Sequence, residues 1–489
     1  AIPNDERPAT QEAAGSADAA GESQPDPDDA FTLSEEEEDS AQTQEGKDTT
    51  EEKKEPAEDS PKKDVVYEYD PADPEPEQQA TKPASTAPEE PEATAPETTL
   101  AAAPTAAPAA DPAPTTPAEG SAKKPTKNVI RVINNWVGDA AKELKIRLSN
   151  VNIKAEDAGR KAAMDVSGGG KTKVELDGQN VLDSYSVRYQ AGLRKQGEGT
   201  LIITDETDDR GNKITTPKSN DSGSLTAKGA GGNGAAGIGG SVAEGTKNIT
   251  IEGYATVHAA GGDWGAGIGG GGYYGEEKPG DAENIIIQGY ATVHASGNAG
   301  IGGGYAGNAK NIIIRGHSKV TATARDGAAI GGGSAGWSSY YGGSAKGIVI
   351  CDHATVAARS DMGHGAAIGA AGDNGKDTEA EVTIGTAGAT AEQEDVHVTA
   401  TGFCGSAIGN GAKDTKVTIQ GHSTIRMESE RGNSTAIGSK DGNVEVNIKD
   451  NVTIDAKDEG TSIRYEGGGS GIGGEDIRVD SNRKVVVNI

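Results

Sequence analysis

Short apolar segments with a period of two recur through the larger part of the chain, and most end at or beside a glycine. Residues 284–289 read NIIIQG and residues 290–295 read YATVHA, and the next unit repeats both at 311–316 and 317–322. In such segments alternate side chains point to one side of a β-strand, so one face of each strand is apolar. The pattern predicts pairs of short strands that are joined at Gly-containing corners.

A third motif accompanies most of these pairs: a small residue, then Gly or Ala, then Ile, and usually Gly. Its eight clear copies carry their Ile 29 to 40 residues apart, and two weaker copies with Met164 and Leu193 precede them. The eight isoleucines are Ile238, Ile268, Ile301, Ile330, Ile368, Ile408, Ile437 and Ile472. Glycine at this density excludes helical repeats, because each interior Gly costs a helix about 1 kcal/mol.

Three short strands per repeat, stacked coil on coil, describe a parallel β-helix. The expected fold class is therefore all-β: a single-stranded solenoid of about ten three-strand coils. Met164, Leu193 and the eight Ile are predicted to form one inward column. Ile285, Ile287, Ile312 and Ile314 would form a second column, and Ala291, Val293, Val320 and Val356 would belong to a third. A seven-bladed propeller is the structural alternative, which the short strands and irregular spacing disfavour.

Composition divides the chain near Gly120. The first 120 residues hold 32 acidic and 7 basic residues, whereas 68 of the 72 glycines come later. Low hydrophobicity with like charge cannot offset chain entropy, so the first part is predicted to be disordered. The expected domains are a disordered acidic Pro/Ala/Thr-rich stalk at 1–125, an N-terminal cap and first coil at 126–165, the parallel β-helix at 166–474, and last strands, cut short by the end of the sequence, at 475–489. Residues 128–136 are expected to cover the first open coil, because an uncapped end exposes sheet edges.

The overall composition excludes several classes of protein. No segment carries the excess of Lys and Arg that binding to nucleic-acid phosphates requires. No run of about 18 apolar residues exists, so a membrane-spanning helix is not expected. Two cysteines in 489 residues exclude a disulfide scaffold.

The body of the chain resembles the Gly-rich "AGIGGG" β-helix repeats of surface proteins from Gram-positive, often gut-associated bacteria. The resemblance covers about residues 142–474. It rests on VELDGQNVL at 174–182, on GEGTL at 197–201 and on the repeated Ala-Gly-Ile-Gly steps. It implies a right-handed coil, a secreted and cell-surface protein, and carbohydrate binding.

Aromatic residues are the candidate ligand-binding residues. Six of the 17 aromatics follow the Ile-Gly step in three successive coils, where sugars could stack on their faces: Tyr273, Tyr274, Tyr305, Trp337, Tyr340 and Tyr341. Loops that leave the same corner of successive coils should cluster. The alternative interpretation is that these rings merely cover the side of the stack.

Acidic residues at the corners are the candidate metal ligands. Asp263, Asp326 and Asp361 each precede an Ala-Gly-Ile strand, so they are expected along one edge. Ca²⁺ takes several oxygen ligands and is the one cofactor that this pattern allows; solvated corner residues are the alternative interpretation. At another corner Tyr254, Tyr290, His317, His353, His422 and Asn451 are predicted to form a stacked ladder.

The predicted function is a secreted, surface-displayed binding protein of adhesin type, which recognises a polysaccharide, a mucin or another glycan. A polysaccharide lyase or glycoside hydrolase on a β-helix scaffold is the enzymatic alternative, although no catalytic residues can be assigned. A purely structural surface rod is the third possibility. No catalysis, nucleic-acid partner or membrane insertion is expected.

Overall fold

The structure is a computed structural model of the 489-residue chain. It describes residues 125–138, 142–156, 160–208, 210–215, 223–232, 234–272, 280–335, 342–363, 365–371, 377–429, 435–439, 442–458, 472–474 and 485–489. The chain divides into two units, Ala1–Ala103 and Pro104–Ile489, and all described residues belong to the second unit. The predicted disordered stalk therefore lies outside the described residues, except for Pro125.

Short strands form three parallel sheets, and the described residues contain no helix. The first sheet pairs, in this order, Ile130–Ile133 (β1), Met164–Ser167 (β4), Leu193–Lys195 (β7), Ile238–Gly239 (β10), Ile268–Gly269 (β13), Ile301–Gly302 (β16), Ile330–Gly331 (β19), Ile368–Gly369 (β22), Ile408–Gly409 (β25), Ile437–Ser439 (β28) and Ile472–Gly474 (β31). The second sheet pairs Glu143–Ser149 (β2), Lys171–Asp177 (β5), Leu201–Asp205 (β8), Thr246–Gly253 (β11), Ala282–Ile287 (β14), Ala309–Ile314 (β17), Ala345–Ile350 (β20), Glu379–Ile384 (β23), Asp414–Ile419 (β26), Asn443–Ile448 (β29) and Val485–Asn488 (β32). The third sheet pairs Asn152–Lys154 (β3), Gln179–Asp183 (β6), Ser224–Lys228 (β9), Thr256–Ala260 (β12), Thr292–Gly297 (β15), Lys319–Ala324 (β18), Thr355–Ser360 (β21), Val396–Gly402 (β24), His422–Ser429 (β27) and Asn451–Asp458 (β30).

The chain visits the three sheets in turn, so each coil takes one strand from each sheet. Coil 1 holds β1 to β3, coil 4 holds β10 to β12, and coil 11 holds the described strands β31 and β32. The predicted all-β parallel β-helix is confirmed. The described residues form eleven coils instead of about ten, because β1 to β3 make a coil ahead of Met164. At about 4.8 Å between strands, the stack is about 50 Å long.

Residues 128–136 are part of the stack and do not cover it. They contain β1, which pairs with β4 so that Ile130 lies beside Met164. The apolar alternation of β1 thus adds one member to the inward column. Ile133 and Trp136 stay more than half exposed at this end. These residues thus supply the outermost strand of the first sheet, and β1 to β3 lie within the range 126–165 expected for the cap and first coil.

The three predicted inward columns form the core. In the first sheet Ile268, Ile301 and Ile330 lie in register and are fully buried. The second and third columns are buried in the same way, with Ile285 beside Ile312 and Val293 beside Val320. Burial of each such side chain contributes about 1.5–3 kcal/mol. Regular stacking of identical apolar side chains therefore holds the coils together.

The glycine after each Ile is required by close backbone packing. Gly302 has φ +141°, and a Cβ built on it would lie 1.9 Å from the carbonyl oxygen of Gly331 in the next coil. A Cβ on Gly303 would lie 2.0 Å from the carbonyl oxygen of Gly307. The chain thus folds back over the first sheet with backbone against backbone. Side chains are excluded there on the outside as well as in the narrow interior.

An asparagine ladder lies within the second sheet. Asn248, Asn284 and Asn311 have φ values of 54° to 59° and lie at equivalent positions of successive coils. The side-chain amide of Asn284 donates to Oδ1 of Asn248 over 3.0 Å, and that of Asn311 donates to Oδ1 of Asn284 over 3.0 Å. Gly347, with φ +69°, lies above Asn311 and ends the ladder.

The predicted aromatic ladder forms at the corner before the third sheet. The rings of Tyr254, Tyr290, His317 and His353 stack with centroids 5.1, 4.8 and 4.6 Å apart. The prediction placed His422 next, but the strand register inserts Asp395 between His353 and His422. Oδ1 of Asp395 lies 3.4 Å from Nδ1 of His422. The longer insertion before β24 brings this carboxylate into the column.

Candidate functional site

The predicted aromatic cluster can be located in part. Tyr273, Tyr274, Trp337, Tyr340 and Tyr341 lie outside the described residues. Tyr305 is described and is 9% exposed, with its ring edge-on to Trp264 at a centroid distance of 5.4 Å. Tyr305 therefore supports a neighbouring aromatic ring and presents little of its own face to solvent.

Trp264 and Asp263 lie at the tip of a tight turn between β12 and β13. The amide of Gly265 donates to the carbonyl of Gly262, which closes the turn. A Cβ on Gly262 would lie 1.8 Å from the carbonyl oxygen of Ala230, so the turn needs glycine to pack against the preceding coil. This packing holds Asp263 exposed and Trp264 half-buried.

Arg325 connects this turn to the coil two levels above it. Its Nη1 donates to Oδ1 of Asp263 over 2.8 Å, and its Nε donates to Oδ2 of Asp326 over 2.8 Å. Its Cζ lies 5.2 Å from the ring centroid of Trp264, within the range of a cation–π contact. Burial acts to lower the pKa of Arg325, but the bond and charges of Asp326 and Asp263 outweigh it and raise this pKa. The guanidinium is therefore a fixed cation that orients Asp263.

An open groove of about 260 Å³ runs beside these residues, where the strands of the third sheet end. Its lining is Gly261, Gly262, Asp263, Ser296, Gly297, Thr323, Arg325, Asp361 and Met362. Asp361 accepts a hydrogen bond of 2.6 Å from Nε of Arg359 and is 42% exposed at its side chain. The groove thus presents two exposed carboxylates, each held by an arginine. The hydroxyls of Ser296 and Thr323 complete a polar lining. Trp264 lies next to this lining, with the Arg325 guanidinium over its ring.

The three predicted metal ligands lie along one edge, as expected, but each already has a cationic partner. Asp263 and Asp326 share Arg325, and Asp361 binds Arg359. In the part of the chain that the structure describes, no three His, Cys, Asp or Glu side chains come together in a way that could hold a metal ion. The participation of Ca²⁺ remains a prediction, and the arginine pairing does not favour it.

The spacing of the exposed carboxylates differs from that of a glycosidase pair. Asp263 follows β12 and Asp361 follows β21, which is three strands further along the third sheet. At about 4.8 Å per strand the two backbone positions are about 14 Å apart. Catalytic carboxyl groups lie about 5–5.5 Å apart in retaining enzymes and about 6.5–9.5 Å apart in inverting ones. The two carboxylates suit ligand contacts at separate points better than a single bond cleavage.

A larger open groove of about 540 Å³ crosses the second sheet but has a different character. Its lining includes Lys346, Glu379 and Lys416, and contains no aromatic side chain. Glu379 is bonded to Lys346 and Lys413 at 2.5 and 3.2 Å, and these bonds lower the pKa of Glu379. These residues form ion pairs across neighbouring coils. Neither lining contains an aromatic side chain, but Trp264 adjoins the groove at the end of the third sheet through its contact with Arg325, so this groove is the better candidate site.

Trp264 and Arg325 are site residues that the sequence analysis missed. The aromatics considered there all follow the Ile-Gly step, whereas Trp264 precedes its Ala-Gly-Ile strand. The available signal was the corner itself, because Asp263-Trp264, Arg325-Asp326 and Asp361-Met362 all follow the third strand of a coil within four residues. Pairing across two coils could not be inferred without the register.

The model of one protein family, described as a beta helix repeat, matches residues 249–272, 285–305 and 312–334. Each match begins in a strand of the second sheet and ends just after the Ile-Gly strand of the next coil. No curated protein and no solved structure matches the chain. The three parallel sheets make the described residues a parallel β-helix, and the match to the repeat model agrees with this fold. Within the described part, no helix is long and apolar enough to cross a membrane.

Proposed function

We propose that this β-helix is a secreted, cell-surface binding protein of adhesin type and that the groove beside Trp264 binds carbohydrate. The resemblance to Gly-rich repeats of surface proteins from Gram-positive gut bacteria supports the proposed location at the cell surface. The acidic, Pro-rich first 120 residues have the composition of a spacer, which would carry the binding surface away from a cell wall.

The arrangement of Arg325 is the observation that carries the proposal. One guanidinium contacts two carboxylates and an aromatic face, beside an open groove with exposed hydroxyls. Carboxylates accept hydrogen bonds from sugar hydroxyls. Arg325 lies over one face of Trp264, so the opposite face is the one that would contact the apolar side of a sugar. Preorganisation of these groups reduces the entropy that is lost on binding. A structural rod without a ligand would account for ion pairs between coils, but it gives no reason for an open groove beside them.

A glycan and mucin array, probed with the full chain with and without chelator, tests the proposal. We expect bound glycans, and we expect Trp264→Ala to weaken their binding about fivefold, because one aromatic contact contributes about 1 kcal/mol. Trp136→Ala is the matched control, since Trp136 is exposed at the far end of the stack. An array without any ligand would overturn the proposal. If Trp264→Ala and Trp136→Ala bind the glycans equally well, the binding site does not lie in this groove.

The enzymatic alternative makes a distinct prediction. Because the exposed carboxylates follow strands three positions apart, we expect no products when the full chain is incubated with pectin, polygalacturonate, mucin or xylan. Product analysis by chromatography is the measurement. Cleavage of any one polymer that Asp326→Asn or Asp361→Asn abolishes would replace binding by lyase or glycosidase activity.

A further inference from the structure

The groove is built from four successive coils, which sets the length of what it can hold. Asp263 follows coil 4, Ser296 belongs to coil 5, Arg325 follows coil 6 and Asp361 follows coil 7. The strand spacing places its two end carboxylates about 14 Å apart along the axis of the stack. One sugar ring is far shorter than this distance. A ligand that contacts both ends must therefore extend over several rings.

The charges of the groove determine which chain of sugars it can take. Arg325 is held by Asp263 and Asp326, and Arg359 is held by Asp361. These five groups carry a net charge of −1, and both guanidinium groups are already paired with carboxylates. A polyanionic ligand would face two exposed carboxylates at close range, and like charges at close range repel. Hydroxyl donors match the oxygens that these carboxylates present to the groove.

Small residues line the groove between its two ends, which leaves room for an internal segment of a chain. Gly261, Gly262 and Gly297 form part of the lining between the two ends. A Cβ on Gly297 would lie 2.4 Å from the carbonyl oxygen of Gly265, so this part of the lining has room only for glycine. Glycine backbone therefore forms the middle of the lining.

From these observations, and on the basis of the proposed function, we infer that the groove binds an internal stretch of an uncharged linear glycan, about three sugar rings long, laid along the axis of the stack. Asp263 binds hydroxyls at one end of this stretch and Asp361 binds hydroxyls at the other. Uronic-acid polymers, sulfated glycans and sialylated ends are excluded by the two carboxylates.

The test titrates the full chain with two series of probes, each from mono- to hexasaccharide. One series is uncharged and derives from xylan, glucan and mannan; the other derives from polygalacturonate. For the uncharged series we expect affinity to rise up to about the trisaccharide and then to level off. Each acidic probe should bind at least tenfold more weakly than its uncharged counterpart, and added salt should narrow this difference.

Two variants separate the ends of the groove. Asp263→Asn and Asp361→Asn should each weaken trisaccharide binding about tenfold, because a hydrogen bond to a charged acceptor is exchanged for a neutral one. A monosaccharide can contact only one end of the groove, so its affinity should fall in at most one of the two variants. Asp455→Asn, at an exposed position on the outer face of the third sheet, is the matched control and should change nothing.

The outcomes distinguish this inference from the proposed function. Preferential binding of the acidic series, or affinity that does not depend on length, would overturn the inference and leave carbohydrate binding intact. If no glycan on the array binds the protein, both the inference and the proposed function are overturned. Equal losses for mono- and trisaccharide in both variants would show one compact site instead of an extended one.

Discussion

Replacement of Gly302 by alanine tests why the Ile-Gly step recurs. Gly302 has φ +141°, a conformation that L residues rarely adopt, and the added Cβ would lie 1.9 Å from the carbonyl oxygen of Gly331. The backbone strain costs about 1–3 kcal/mol. The clash forces the next coil to move, and that carbonyl also accepts a 3.0 Å hydrogen bond from the amide of Gly303. Loss of this bond costs about 1 kcal/mol more.

The expected destabilisation is therefore about 3 kcal/mol. Gly232→Ala is the matched control, because no atom lies within 4 Å of its added Cβ, and its effect should stay within about 0.5 kcal/mol. Urea unfolding followed by far-ultraviolet circular dichroism measures both variants. Repeat proteins can unfold in several steps. The midpoints of the two variants are therefore compared only where the dependence of the unfolding free energy on urea concentration is the same for both. Equal midpoints for the two variants would refute the argument that close backbone packing requires this glycine.

Three further substitutions test the core, the asparagine ladder and a buried carboxyl group. Ile301→Asp places an unpaired charge in the interior and should cost more than 4 kcal/mol in urea unfolding, whereas Ile313→Asp, on an outward half-buried position, should cost far less. Gly347→Asn should raise stability by about 1 kcal/mol by extending the ladder to Asn311, and Gly347→Ala, which lacks the amide, should not. Burial raises the pKa of Asp205 from 3.8 to about 6, so its contribution to stability is present below about pH 4 and is lost as the pH rises through 6. The free energy of unfolding of Asp205→Asn, relative to that of the unsubstituted protein, should therefore rise by about 3 kcal/mol between pH 4 and pH 7. A difference that does not change with pH would contradict this assignment.

The repeating unit was predictable because a β-helix is a local, periodic fold. Alternation in segments such as 284–289 identified strands, and the recurrence of Ala-Gly-Ile identified one wall of each coil. Each strand then pairs with its equivalent one repeat later, so the register follows from alignment of the repeats. The stacked rings of Tyr290 and His317 were predictable for the same reason.

Two features required the three-dimensional arrangement. The insertion before β24 shifts the alignment of the corners, so Asp395 enters the aromatic ladder at a position that the motif spacing assigned to no acid. Ile130–Ile133 form the first strand, because β4 provides a partner for their apolar alternation, and no local signal in the sequence identifies that partner. Both outcomes depend on pairing between segments that are about 30 to 40 residues apart in the chain.

The sequence by itself determined the class of fold, the inward columns and the edge on which Asp263, Asp326 and Asp361 lie, because each of these repeats with the period of the coil. The tertiary structure decided which side chains meet across coils. Arg325 reaches Asp263 two coils away and covers Trp264, and Tyr305 packs edge-on against that ring. A repeat pattern specifies what lies directly above and below a residue, but a long side chain can cross a coil. Its partner then depends on rotamer and on the space that glycine corners leave, and neither is periodic in the sequence.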